Sequence, residues 1–335
     1  MSAVSGGLRR LRGAGRRPEA VQAAAPEHEP PRHGRRARTV AADAALTALL
    51  AIALAGLPAV CELSPARAQQ KVEISSRDLD AGQPVALPAF WFPPSANAPT
   101  PAPAMLLLHG CGGPYGVGGR PSERLREMAG RLQGLGVGAL VVDSLTPRGE
   151  KELCTQPNGQ RRVTQANRLR DALGALDWLA AQPGVDAARI GFMGWSNGGS
   201  TVLAATNRQH REVAANVLRP SLAVAWYPGC ALELNRSYEA TAPLLLLVGA
   251  ADDWTPAAPC QALATAARGA PVQIESYAGA YHGFDSRAPL RLRTEVPNGV
   301  NPGRGVHVGG DAAARAASAL RLEAYLREHW NLATP

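Results

Sequence analysis

Between Gln69 and the C-terminus, short uninterrupted apolar runs alternate with segments whose apolar residues recur at helical spacing. Strands separated by helices must be joined by crossovers. The sheet is then mostly parallel with helices on both faces, an α/β architecture. Ala104–Leu108, Ala139–Val142, Ile190–Met193, Leu222–Trp226, Leu244–Val248 and Val272–Tyr277 read as strands. Ser122–Leu135 and Val163–Ala181 carry helical spacing, and a helix from about Asp311 to Trp330 closes the chain. In open parallel sheets the functional loops gather beyond the carboxyl ends of the strands. Here each motif that carries chemistry stands at the end of an apolar run.

Gly194-Trp195-Ser196-Asn197-Gly198 fits G-x-S-x-G, follows the Ile190–Met193 run and opens a helix-compatible stretch, Thr201–Asn207. A tight strand-to-helix turn there projects the serine hydroxyl above the sheet, and small glycines let the backbone close up. A Gly-rich turn whose serine caps the next helix is the plainer alternative. A serine hydroxyl needs a base to become a nucleophile, and in this arrangement the acid and then the histidine follow on later strands. Leu244–Val248 leads into Gly249-Ala250-Ala251-Asp252-Asp253, and Val272–Tyr277 leads into Tyr281-His282-Gly283-Phe284. Of the seven histidines, His282 alone follows the serine at a strand end. Asp252 and Asp253 compete for the acid, Asp252 lying nearer the end of its strand.

Anion stabilisation calls for preorganised backbone N–H groups. Asn197, directly after the serine, is one; the loop His109-Gly110-Cys111-Gly112-Gly113 supplies the other, from Cys111 or Gly112. The histidines lack metal-ligand spacing, so neither a metal nor another cofactor is expected.

The net charge of +8 on 335 residues is unevenly placed. Residues 1–68 hold 10 of the 35 Lys/Arg and 5 of the 27 Asp/Glu, leaving only +3 beyond them. Without a basic stripe or an aromatic platform, nucleic-acid binding is not expected. Residues 1–39 read as unstructured. Val40–Val60 is apolar apart from Asp43 and Thr47, and Ala66-Arg67-Ala68 follows as an A-x-A site. Residues 1–68 are therefore expected to be a disordered extension plus a secretory signal cleaved after Ala68. A membrane anchor is the alternative, weakened because Asp43 and Pro58 shorten the apolar run. The mature chain, 69–335, is expected to be one domain, periplasmic or secreted, monomeric and not stably membrane-associated. Cys61 leaves with the signal. The four remaining cysteines suggest two disulfides in an exported chain.

His109–Gly113, Gly194–Gly199, Gly249–Pro256 and Tyr281–Asp285 together resemble the dienelactone hydrolase family of α/β-hydrolases over roughly residues 85–330. The resemblance implies an α/β-hydrolase fold and a carboxylic ester or lactone hydrolase acting through an acyl-enzyme. It selects Asp252, four residues before Pro256, as the acid. Founding members carry cysteine where this chain has Ser196, which leaves dienelactone itself open as substrate. Arg148 follows a strand and is a candidate for a substrate carboxylate, or for a structural ion pair; Arg287 and Arg291 are weaker candidates. Trp195, Trp254 and Tyr281 adjoin the proposed triad and are candidate pocket residues. Cys111 and Cys154 follow consecutive strands, as do Cys230 and Cys260, so the expected bonds are Cys111–Cys154 and Cys230–Cys260. The irregular stretch 293–310 suits a loop over the site. The rival readings are a polyester or cutinase-like esterase and a non-catalytic binding protein on a hydrolase scaffold.

Overall fold

The computed structural model describes residues 69–332. The extension, the signal segment, its cleavage point after Ala68 and Cys61 lie outside the described residues. The chain starts with an antiparallel hairpin, β1 (Gln70–Asp80) and β2 (Gln83–Phe92). There follow β3 (Ala102–Leu108), α1 (Glu123–Gly134), β4 (Gly138–Val142), α2 (Gln165–Ala180), β5 (Val185–Trp195) and α3 (Asn197–Thr206). Next come α4 (Arg211–Ala215), β6 (Leu222–Trp226), α5 (Ala231–Asn235), β7 (Glu239–Ala240), β8 (Leu244–Gly249) and α6 (Ala257–Ala266). The chain continues with β9 (Arg268–Gly269), β10 (Val272–Tyr277), β11 (Arg291–Arg293), β12 (Val306–Val308) and α7 (Ala312–Trp330).

The main sheet has eight strands in the order β1-β2-β4-β3-β5-β6-β8-β10. From β4 to β10 all neighbours are parallel, and only the β1–β2 hairpin and its junction with β4 are antiparallel. Successive strand side chains face opposite ways, and β3 divides accordingly. Ala104, Leu106 and Leu108 join the core under α2, α3 and α6, while Met105 and Leu107 join the core under α1 and α7. Each fully buried leucine there contributes about 1.5–3 kcal/mol of transfer free energy. Both faces are thus buried, which explains why these strands read as unbroken apolar runs rather than alternating ones.

The register brings the motifs together. Leu108 at the end of β3 pairs with Gly194 in β5, and Trp226 of β6 pairs with both Trp195 and Leu247. Two elements differ from expectation. Helix α3 starts at Asn197 rather than Thr201, so Ser196 itself is the turn. The β1–β2 hairpin is an antiparallel addition at the sheet edge where an alternation of strand and helix was expected.

Candidate active site

Ser196 sits between β5 and α3 with φ 54° and ψ −117°, a left-handed conformation that costs a non-glycine residue of the order of 1–3 kcal/mol. The surrounding glycines are steric necessities. A Cβ on Gly194 would stand 2.2 Å from the Gly198 carbonyl oxygen, and one on Gly198 only 2.0 Å from that of Leu108. Only bare backbone lets helix α3 begin directly over the ends of β3 and β5.

The loops that follow β8 and β10 are bound to each other. Ala250 N–H donates to the Tyr277 carbonyl (2.9 Å) and Ala251 N–H to the Ala280 carbonyl (3.0 Å). Asp252 and His282 are thereby held face to face, with His282 Nδ1 at 2.8 Å from Asp252 Oδ2 and Nε2 at 2.8 Å from Ser196 Oγ. The carboxylate can only accept from Nδ1–H, which leaves Nε2 to accept the serine proton. Trp254 N–H and Thr255 N–H both donate to Asp252 Oδ1 at 2.8 Å, and the Thr255 hydroxyl lies 3.0 Å from Oδ2. The imidazole is further confined by the rings of Tyr227 and Trp254, each with its centroid 4.6 Å away. His282 and Asp252 are both buried.

Asp253 points elsewhere. It accepts the His307 N–H (2.9 Å) at one carboxylate oxygen and lies 2.7 Å from His307 Nδ1 at the other, while its carbonyl accepts the Val300 N–H (2.8 Å). Asp252 therefore faces the histidine, and its neighbour fastens the 293–310 stretch, of which Asn298 and Gly299 line the cavity over Ser196.

That cavity measures about 550 Å³. Cys111, Asn197 and Ser200 surround the serine, Trp254, Val163 and Leu232 supply apolar wall, and Arg161 and Asn158 supply polar wall. Asn197 is the first residue of α3, a position whose N–H the helix leaves without an internal partner. The Gly110–Cys111 peptide is fixed from its other end. Its carbonyl accepts from His109 Nδ1 (2.7 Å) and from Gly113 N–H (3.3 Å), so the Cys111 N–H points the opposite way. Nε2 of His109 accepts from Ser144 N–H at 3.3 Å, so the neutral imidazole satisfies both contacts. Burial, reinforced by the Arg168 charge, holds the His109 pKa well below its ordinary 6.5. Cys111 is bonded to Cys154 and Cys230 to Cys260, the pairings expected. Cys111 and Cys230 both line the cavity.

Several expected pocket residues lie elsewhere. The Arg148 guanidinium contacts the Asp171 carboxylate twice (2.8 and 2.9 Å), Asp78 (2.8 Å) and the Ser144 carbonyl (2.7 Å), so its donors are committed and the substrate-carboxylate assignment is corrected. Trp195 is buried against Trp226, with its indole N–H donating to Asp285 at 2.9 Å, and it does not line the cavity. Tyr281 packs on His307 at 4.9 Å, also away from the cavity. Trp254 does line it. Arg287 pairs with Glu127, and Arg291 is exposed on β11.

Four residues were not anticipated. Arg161 faces the cavity half-buried, makes no ion pair among the described residues, and has its Nε buried without a partner. Arg168 is wholly buried on α2. Thr255 braces the acid, and Asp285 accepts from Tyr227 Oη (2.6 Å) and Trp195 beneath the histidine. Of these, Thr255 and Asp285 lay within motifs, Gly249–Pro256 and Tyr281–Asp285.

A Mycobacterium tuberculosis protein that carries the name of a phosphoribosyl transferase is 33% identical over 155 residues, 45% of this chain and 30% of its own length. The chain thus spans less than a third of that relative. Among solved structures, the dienelactone hydrolase of Anabaena variabilis superposes with a TM-score of 0.51 at 21% identity, over 78% of this chain and 98% of that one. Esterase 2 of Thermogutta terrifontis, solved as phosphorylated by paraoxon, superposes with a TM-score of 0.53 at 18% identity, over 81% of this chain and 97% of that one. At these identities the likeness is one of fold. The dienelactone hydrolase family model matches residues 88–326, a span that holds all four strand-end motifs, and the chain belongs to that family of α/β-hydrolases.

Proposed function

We propose that this chain is an exported serine hydrolase that cleaves a carboxylic ester or lactone through an acyl-enzyme on Ser196. The observation that carries the reading is the unbroken chain of hydrogen bonds from Asp252 through His282 to Ser196, which lines a cavity of about 550 Å³. In the first half-reaction Ser196 Oγ attacks the carbonyl carbon and its proton passes to His282 Nε2. The negative charge of the tetrahedral intermediate gathers on the former carbonyl oxygen, against the N–H groups of Asn197 and Cys111. Collapse breaks the bond to the leaving alkoxide, which takes the proton from His282. A water then repeats the sequence on the acyl-serine, giving the carboxylic acid and regenerating Ser196. Asp252 holds the imidazole in the required tautomer and stabilises its cationic form.

The mixed wall favours a substrate of modest size with an apolar body, and the uncommitted Arg161 favours one that also bears a carboxylate. A cavity of about 550 Å³ matches such a molecule in size. Export is supported by the two disulfides, which oxidising compartments maintain. Among the described residues no helix is long and apolar enough to cross a membrane.

The test is intact mass of residues 69–335 after treatment with a fluorophosphonate, beside Ser196→Ala. One adduct on the parent and none on the variant is the expected result. A folded parent that takes no adduct would put the binding-protein reading ahead.

A further inference from the structure

Arg168 makes an unusual set of contacts for a charged side chain with no exposure to solvent. Its Nη2 donates to the His109 carbonyl at 2.7 Å, and its Nη1 donates to the Asn197 side-chain oxygen. Its Nε has no partner, and among the described residues no carboxylate pairs with it. The two residues it grips belong to the two separate loops that flank Ser196. One begins the loop after β3 that carries the Cys111 N–H; the other carries the Asn197 N–H at the start of α3. Among the described residues no other side chain donates to both. Gln165 and Thr201, which donate to the Asn197 carbonyl at 3.2 and 3.0 Å, complete the support from the α2 and α3 side.

Burying an unpaired cation is costly, and a fold that only needed to join these loops could do so with a neutral amide. What a guanidinium adds is a fixed positive charge in a dry environment behind the atoms where negative charge develops, together with a planar fork that sets two acceptors in one plane. Resting on the acyl-enzyme reading above, we infer that Arg168 is a positioning residue of the oxyanion site: by gripping the His109 carbonyl and the Asn197 side chain it holds the segments that carry the Cys111 and Asn197 N–H groups in mutual register, and it lends its charge to the tetrahedral intermediate. Burial lowers its pKa only to about 10, so the charge is kept at neutral pH. Asp171 and Asp143 favour that charge through space, and Arg148 and Arg161 oppose it. Arg168 touches no reacting atom; it acts through the His109 carbonyl and the Asn197 side chain.

The substrate is unidentified, so the probe is the fluorophosphonate itself, whose phosphorylation-like attack also passes its charge to the oxyanion site. The maximal labelling rate and the half-saturating concentration are measured for the parent, Ser196→Ala, Arg168→Met, Arg168→Lys and Asn197→Ala, with a melting curve for each. Arg168→Met is expected to end at one adduct per chain while its maximal rate falls about 10–100-fold, less than the loss of an oxyanion donor outright. The half-saturating concentration should change less than about twofold, because the ground state owes little to the oxyanion site. Arg168→Lys, which keeps the charge but not the fork, should recover part of the rate. A folded Met variant at the parent's rate, or one whose whole defect lies in half-saturation, overturns the assignment. If the Met variant does not fold, Lys and Asn197→Ala decide: parental rates in both overturn it, and slowed labelling at unchanged half-saturation in Asn197→Ala upholds it. A folded parent without adduct overturns the acyl-enzyme reading, and with it the role given to Arg168.

Discussion

Asp252 and Asp253 are adjacent in the chain and hold different histidines, His282 and His307 respectively. Replacing Asp252 with Asn removes the acceptor that fixes the His282 tautomer, and kcat is expected to fall by about 10⁴. Asp253→Asn should leave kcat close to the parent's. Steady-state rates on a p-nitrophenyl ester check both, and an equal loss in the two variants would contradict the division of labour. Arg161 allows a second comparison, because among the described residues no carboxylate forms an ion pair with its guanidinium. A charge-assisted contact there is worth about 1.5–3 kcal/mol. Arg161→Gln should therefore raise KM about tenfold or more for an ester bearing a carboxylate and leave a neutral ester of the same size unaffected. A similar change for both esters would remove the carboxylate from the proposed substrate.

The elements that carry the chemistry were legible because each ends in a motif: β3, β8 and the second half of β5 are buried apolar runs followed by His109, Asp252 and Ser196, and the half-buried edge strand β10 leads to His282. The hairpin was not legible, and its inward face shows why. β1 buries Ile74, Ser76 and Asp78 in alternation, so two of the three inward residues are polar and the period of two is masked. Those polar residues are buried because they meet Asp171 of α2, with Ser76 donating to it at 2.6 Å and Arg148 bridging it to Asp78. Arg148 was misread for the same reason: its partners lie 23 and 70 residues away, and only the folded arrangement brings them together. Removing Arg148 leaves the buried Asp171 carboxylate without an ion pair, while Asp78 keeps Arg170 at 3.2 Å, and breaking a buried pair costs about 3–5 kcal/mol. Arg148→Met should accordingly lower the melting temperature while leaving KM of the surviving fold unchanged; a raised KM at unchanged stability would restore it to the substrate. The loop after β3 carries a pH signature of its own. His109 is held neutral in the folded protein, whereas the unfolded chain takes up its proton near pH 6.5. Stability is thus complete above that pH and declines as pH falls, by up to about 1.4 kcal/mol per unit from this one group. Denaturant midpoints from pH 8 to 5 measure the decline, and a flat profile between 7 and 5 would show that His109 is protonated in the folded state.

Over the molecule as a whole, the two disulfides close segments of 43 and 30 residues. Chain-entropy arguments give each about 4 kcal/mol, equivalent to roughly 8–16 °C in melting temperature for a chain of this size. Calorimetry with and without a reductant checks this, and an unchanged transition after full reduction would show the bonds to be idle. Their placement matters beyond stability. Neither bond joins the two cores across the sheet; each instead ties down a segment whose cysteine, Cys111 or Cys230, faces the cavity around Ser196. Each bond thus braces a stretch of the wall beside the serine as well as the fold. Under the proposed export, the two bracings beside Ser196 persist only where a disulfide can, so the wall of the cavity and the compartment of the chain are chosen together.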